Sequence, residues 1–223
     1  ASRRSPLQEA VLESDREDSM RVVIVDYGAG NLRSVERAVA HSGGEAVISG
    51  APAAVETADV IIVPGVGAAA DTMRNLRERD LVEPIRAFVA RGRPYLGICM
   101  GFQALLTVSE EGGEHPCLDI VPGRVVRLPG GLKVPHMGWN QVRRRRQHAV
   151  FEGIPESAYF YFVHSYYPSP DDGETVLGET DYGVSFASAL ARDNVIATQF
   201  HPEKSGDVGL VFYDNFLRWA SGV

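Results

Sequence analysis

Pro94-Tyr95-Leu96-Gly97-Ile98-Cys99-Met100-Gly101-Phe102-Gln103 carries a short apolar strand into a helix through a turn with glycine on both sides of a thiol. Glycine lets the backbone turn sharply, so the side chain at the centre is lifted above the sheet edge, the geometry of a nucleophile elbow. A helix that begins just after Cys99 aims its unpaired N–H groups and positive dipole end at the sulfur, which favours thiolate over thiol. The same N–H groups are placed to hold an oxyanion. Taken alone, the segment also fits a second reading, in which Cys99 is a small buried hydrophobe and the glycines serve close helix–strand packing. Glycine-flanked strand-to-helix turns occur in inert nucleotide folds too.

Around this turn, apolar runs alternate with helical periodicity. Strands at 21–26, 45–49, 58–63 and 94–98, with helices near 31–42, 81–91 and 100–109, predict an α/β wound, mostly parallel sheet with flanking helices. Ligands of such sheets bind at the carboxyl ends of the strands, where the loops at Tyr27, Pro64 and Cys99 fall. From 120 to 200 the chain reads as strands separated by Pro, Gly and Asp, and a closing helix spans about 207–220 with Leu210, Tyr213 and Leu217 on one face. The 223 residues, 44% hydrophobic, suit one domain over 20–223. Residues 1–19 hold three arginines and five acids with few apolar side chains, an N-terminal extension that cannot bury enough surface to offset its ordering.

Composition excludes several classes. A net charge of −7 argues against a nucleic-acid-binding domain, and no apolar run reaches the length of a membrane span. Two cysteines, Cys99 and Cys117, form no disulfide framework, which points to a reducing cytoplasm. His136, His148 and His164 lack metal-ligand spacing, and His115 with Cys117 is too little for zinc, so no metal is expected. Gly28-Ala29-Gly30 has Arg33 where a dinucleotide fingerprint needs its third glycine, so no nucleotide cofactor is expected. Arg143-Arg144-Arg145-Arg146 reads as a solvated hairpin turn between two strands, with a phosphate or partner contact as the alternative.

A second segment completes the chemistry. Asn194-Val195-Ile196-Ala197-Thr198-Gln199-Phe200 reads as a strand that runs directly into His201-Pro202-Glu203. In extended backbone residues two apart face the same way, so His201 and Glu203 project together. The carboxylate then fixes the imidazole tautomer and stabilises the imidazolium formed when His201 takes the thiol proton. By itself the tripeptide also fits a strand end with a solvated acid. Paired with the elbow it makes a Cys99–His201–Glu203 triad.

On these residues the chain resembles the class I (triad) glutamine amidotransferases. Further motifs agree: Asp26-Tyr27-Gly28-Ala29-Gly30-Asn31, Pro64-Gly65-Val66-Gly67, Pro135-His136-Met137-Gly138-Trp139-Asn140, Tyr161-Phe162-Val163-His164-Ser165-Tyr166 and Lys204-Ser205. Over 20–223 they look like the branch of that family that forms the glutaminase subunit of imidazole glycerol phosphate synthases. The resemblance implies a flavodoxin-like sheet, a cytoplasmic enzyme of histidine biosynthesis without cofactor, and hydrolysis of L-glutamine. It also implies a heterodimer with a (β/α)8-barrel cyclase that receives the ammonia. It assigns Cys99, His201 and Glu203 to catalysis, and Met100, Gly65, Val66, Gly67, Gln103, Ser165 and Tyr166 to the oxyanion and substrate. Asn31, Trp139, Tyr161 and Lys204 fall to the partner interface. Lys204, one residue past Glu203, is expected to point away from the active-site face.

Two other readings stand beside this one. A glutaminase subunit of another synthase would change the partner-facing motifs, against which Pro64-Gly65-Val66-Gly67 and Lys204-Ser205 speak. A non-enzymatic thiol-bearing α/β binding module would not need His201-Pro202-Glu203.

Overall fold

The computed structural model describes residues 20–28 and 30–222, so the extension over 1–19 lies outside the described residues. The first half of the chain runs β1 (Val22–Val25), α1 (Leu32–His41), β2 (Ala46–Ser49), α2 (Pro52–Thr57) and β3 (Val60–Gly65). It continues through α3 (Ala69–Glu78), α4 (Val82–Ala90), β4 (Tyr95–Cys99) and a single turn α5 (Met100–Gln103). Then come β5 (Val108–Ser109), β6 (His115–Pro116), β7 (Gly123–Arg127), β8 (His136–Gln141), β9 (Arg143–Arg144) and β10 (Tyr159–His164). The chain ends with β11 (Tyr166–Pro170), β12 (Val176–Asp181), β13 (Ser185–Arg192), β14 (Val195–Thr198) and α6 (Gly206–Ala220).

Every residue of β1, β3, β4 and β14 is buried. Strands apolar on both faces need cover on both, which is the arrangement of a parallel sheet between helices. They occupy the middle of an eight-stranded sheet in the order β2-β1-β3-β4-β14-β13-β12-β9, parallel from β2 to β14 and antiparallel beyond. Alternate side chains go to opposite layers. Val22, Ile24, Ile62, Leu96 and Ile98 pack with Val35 and Val39 of α1 and Phe212, Tyr213 and Phe216 of α6. Val23, Val25, Ile61, Val63 and Tyr95 pack with Met73 and Leu76 of α3 and Ile85 and Phe88 of α4. The β8–β10 pair and a four-stranded sheet β11-β7-β5-β6 complete the fold.

Three local expectations are corrected, and helices α2 and α3 are added to those expected. The helix expected over 100–109 stops at Gln103, because the carbonyls of Ala104 and Leu105 accept from Leu118, Ile120 and Val121 instead of continuing the helical ladder. Helix α3 went unread because two of its buried positions are Ala69 and Thr72, which carry little apolar signal. His201-Pro202-Glu203 does not continue β14 as extended chain, since Pro202–Lys204 forms a 3-10 turn. The arginine run is largely exposed, as expected, but it is no hairpin turn. Arg143 and Arg144 form the edge strand β9 against β12, Arg143 and Arg145 both pair with Glu179, and Arg146 donates to the carbonyl of Ala191.

Candidate active site

Cys99 is the last residue of β4 and caps α5 with φ 54° and ψ −102°, a backbone state that residues with a Cβ rarely adopt. The two flanking glycines are a steric requirement. A Cβ at Gly97 would stand 2.7 Å from the Gly101 carbonyl oxygen, and one at Gly101 would stand 1.7 Å from that of Val63. The helical turn therefore sits directly on β3, whose register sets Gly65 beside Cys99. Gly65 itself has no space for a side chain, with Tyr27 Oη 2.1 Å and Met100 Cβ 2.6 Å from its Cβ position. Gly67 faces open space but has φ 105°. Val66, Gly67, Cys99 and Met100 all line one cleft of about 370 Å³.

The 3-10 turn brings the other two groups in by a different route from the one expected. His201 Nδ1 lies 2.8 Å from Glu203 Oε1, with both side chains 1% exposed. The turn is tied to β10: the amide of His201 donates to the Tyr161 carbonyl, that of Tyr161 to Ser205 Oγ, and Ser205 Oγ to the His201 carbonyl. Burial by itself would lower the His201 pKa. The charge and hydrogen bonding of Cys99, and then those of Glu203, outweigh it and hold the imidazole up at about 10. His201 Nε2 is buried without an aligned hydrogen-bond partner. Such bonds often close only in the substrate complex.

Asn31 is half-buried, and its Nδ2 donates to Glu203 Oε1 at 2.6 Å. Its side chain thus faces the carboxylate of Glu203. Gln103 Nε2 donates to the Tyr166 carbonyl and to Gln199 Oε1, each at 2.9 Å, and Gln199 Nε2 lies 3.4 Å from Cys99 Sγ. Gln103, Ser165 and Tyr166 all line the cleft. Lys204 lines it too, in contrast to the expectation that it points away, because the 3-10 turn breaks the two-residue alternation on which that expectation rested. Its Nζ also lies 5.8 Å from the centre of the Tyr161 ring. Trp139 packs edge-on against Tyr161 across the β8–β10 pair, where Met137, Trp139 and Tyr159 are more than half exposed.

Two residues of this neighbourhood escaped the sequence reading. Glu111 lines the cleft, with Oε2 fixed by the backbone N–H of Ala69 at 2.8 Å. Gln199 reaches the sulfur from the end of β14. His164 lines the cleft and forms a buried pair with His136, Nε2 to Nδ1 at 2.9 Å, and burial above all lowers their pKa values to about 3 and about 4. Among the described residues no group of three or more His, Cys, Asp or Glu side chains is arranged to hold a metal ion, and no helix is long and apolar enough to cross a membrane.

The model of the family "Glutamine amidotransferase class-I" matches residues 23–218. The chain belongs to this family. Within it, the chain is 50% identical over 201 residues to "Imidazole glycerol phosphate synthase subunit HisH" of Dehalococcoides mccartyi, covering 90% of this chain and 98% of that one. The protein of the same name from Syntrophotalea carbinolica is 51% identical over 202 residues, 87% of this chain and 98% of that one. Family membership therefore extends to these HisH subunits. Among solved structures, a crystal structure described as a glutamine amidotransferase has TM-score 0.68 at 26% identity, covering 91% of this chain and 99% of that one. PurLQS from Thermotoga maritima, with TM-score 0.71 at 18% identity and 90% and 99% coverage, shares the fold.

Proposed function

We propose that this chain is the glutaminase subunit of an imidazole glycerol phosphate synthase, with Cys99, His201 and Glu203 as its triad. The observation that carries the reading is a strained, glycine-enforced Cys99 in one cleft with Gly67 and Met100, beside a buried His201–Glu203 pair. The Cys99 thiolate attacks the carboxamide carbon of L-glutamine, and the oxyanion rests on backbone N–H groups of Met100 and Gly67. His201, already protonated, gives its proton to the departing ammonia. Water then cleaves the glutamyl thioester with His201 as base, releasing glutamate. Glu203 keeps the imidazole oriented, and Asn31 keeps Glu203 oriented. Glu111 offers the cleft's carboxylate to the α-ammonium of the substrate, while Gln103, Ser165 and Tyr166 line the rest of its path. No step calls for a cofactor.

The ammonia goes to a (β/α)8-barrel cyclase bound over the cleft mouth. Support comes from the half-exposed face of Met137, Trp139 and Tyr159 beside Tyr161 and Lys204, an apolar surface larger than isolated exposed side chains would make. In this reading Asn31 links the interface to the acid of the triad. Both thiols are free, which fits a cytoplasmic setting. The test is Cys99→Ser in the reconstituted pair: glutamine-dependent synthesis is lost while synthesis from free ammonia persists. Retained glutaminase activity overturns the assignment, and failure of the barrel cyclase to stimulate the wild-type chain favours another synthase.

A further inference from the structure

One hydrogen-bond chain leading to the nucleophile has its direction set by a backbone carbonyl. Tyr166 O has no hydrogen to give, so Gln103 must turn Nε2 toward it, at 2.9 Å. The second hydrogen of that nitrogen goes to Gln199, 2.9 Å away, which must therefore present Oε1. Gln199 is then left with Nε2 facing Cys99 Sγ at 3.4 Å. Exchanging oxygen and nitrogen in either carboxamide would set like against like in a buried site, since Gln199 is 0% and Gln103 2% exposed. His164 Nδ1, also 2.9 Å from Tyr166 O, must donate there too, which further commits that carbonyl as the anchor.

We infer that Gln199 is a positioning residue for the nucleophile: its carboxamide N–H holds the Cys99 sulfur in the attacking orientation and favours its ionised form. The inference rests on the assignment of Cys99 as nucleophile. A donor aimed at sulfur stabilises the anion more than the neutral thiol, since hydrogen bonds to charged acceptors are the stronger ones. The chain also reaches the substrate side. Gln103 Oε1 is buried without a partner in a side chain that lines the cleft.

The experiment uses the full chain with its cyclase partner and follows alkylation of Cys99 by iodoacetamide against pH, read on the Cys99 peptide so that Cys117 does not interfere. Gln199→Glu keeps an oxygen for Gln103 but sets an anionic oxygen against the sulfur, and Gln199→Met removes the donor without adding charge. In both, the alkylation midpoint moves up by about one pH unit and the rate at neutral pH falls about tenfold. In Gln199→Glu, kcat falls at least as far with little change in KM. A merely structural role would lower Tm and leave the midpoint where it is, and that result in folded variants overturns the inference. The wild-type protein supplies a check independent of variant folding: the Gln199 side-chain amide resonance must titrate together with the Cys99 thiol, and a resonance that ignores the thiol overturns the inference equally. Loss of glutaminase in Cys99→Ser beside an unmoved Gln199 midpoint refutes the positioning role alone, whereas retained glutaminase in Cys99→Ser refutes the underlying assignment.

Discussion

Gly101→Ala adds one methyl group at the tightest point of the elbow. Its carbon would stand 1.7 Å from the Val63 carbonyl oxygen and 2.8 Å from the Val63 carbonyl carbon, where ordinary contact begins at 3.4 Å. Both atoms are backbone of a central strand buried on both faces, so the turn carrying Met100 and Gly101 has to move, by well over 1 Å. Overpacking of this kind costs about 1–3 kcal/mol, and a rigid backbone neighbour places this case at the upper end. For a domain of this size, that corresponds to a Tm lower by about 6–12 °C. The larger effect falls on the chemistry. Cys99 and the Met100 N–H move off β3 while Gly67, two residues past the end of β3, stays behind, and a misplacement of about 1 Å costs about 100-fold in rate. Glutamine hydrolysis by the complex is expected to fall at least that far, with ammonia-dependent synthesis retained. Gly92→Ala is the control: its Cβ meets nothing within 4 Å, only its φ of 77° is unfavourable, and it lies far from the cleft. It should cost about 1 kcal/mol and leave glutaminase unchanged. A Gly101→Ala enzyme with kcat/KM near the wild-type value would refute the claim that contact with β3 sets the elbow against the oxyanion segment.

Asn31→Gly keeps the left-handed backbone at φ 72° but removes the bond to Glu203, and kcat in the complex should fall about tenfold with KM and Cys99 alkylation little changed; an unchanged kcat would show that Glu203 needs no such support. His201 is raised to about 10 because the influence of Cys99 and then Glu203 exceeds the burial that lowers it. The stability it contributes is therefore complete below its ordinary value near 6.5 and is lost as pH rises toward 10. Thermal melts from pH 7 to 10 should fall more steeply for wild type than for His201→Asn, and parallel curves would refute this. His136 and His164 have the opposite sign: burial holds them neutral, so their contribution is lost as pH falls from about 6.5 toward 4, and His136→Gln should flatten that acid limb in the same assay. Glu111→Gln should raise KM for glutamine about tenfold while ammonia-dependent synthesis is untouched, and an unchanged KM removes Glu111 from the substrate site.

The parallel core was readable because its evidence is local. Runs such as Val22–Val25 and Val60–Val63 have no polar face to turn outward, so their burial follows from composition. The elbow was readable for the same reason, as three consecutive backbone demands leave glycine, thiol and glycine little alternative. Where the reading failed, a distant segment had taken over a local hydrogen bond. Residues after Gln103 have ordinary helical content, but the loop near 118–121 captures their carbonyls. Lys204 followed strand alternation in the reading, yet the Ser205 hydroxyl bridging His201 and Tyr161 helps wind the chain into a turn, which swings Lys204 onto the cleft.

The same contrast separates the triad from the residues around it. Cys99, His201 and Glu203 announce themselves because a thiol between glycines and an imidazole two residues from a carboxylate are chemically conspicuous. Gln199 and Asn31 do not, since neither titrates, and their importance lies wholly in what they touch across gaps of 100 and 172 residues. Their bonds differ in kind. Asn31 is half-buried where it grips the acid, whereas Gln199 is wholly buried between Gln103 and Cys99. Under the proposed function a partner surface acts on the base through Asn31 and Glu203, while the nucleophile is held by a separate route through Gln103 and Gln199. On that reading the two routes meet at Cys99 and His201, so each aligns one half of the pair that has to react together.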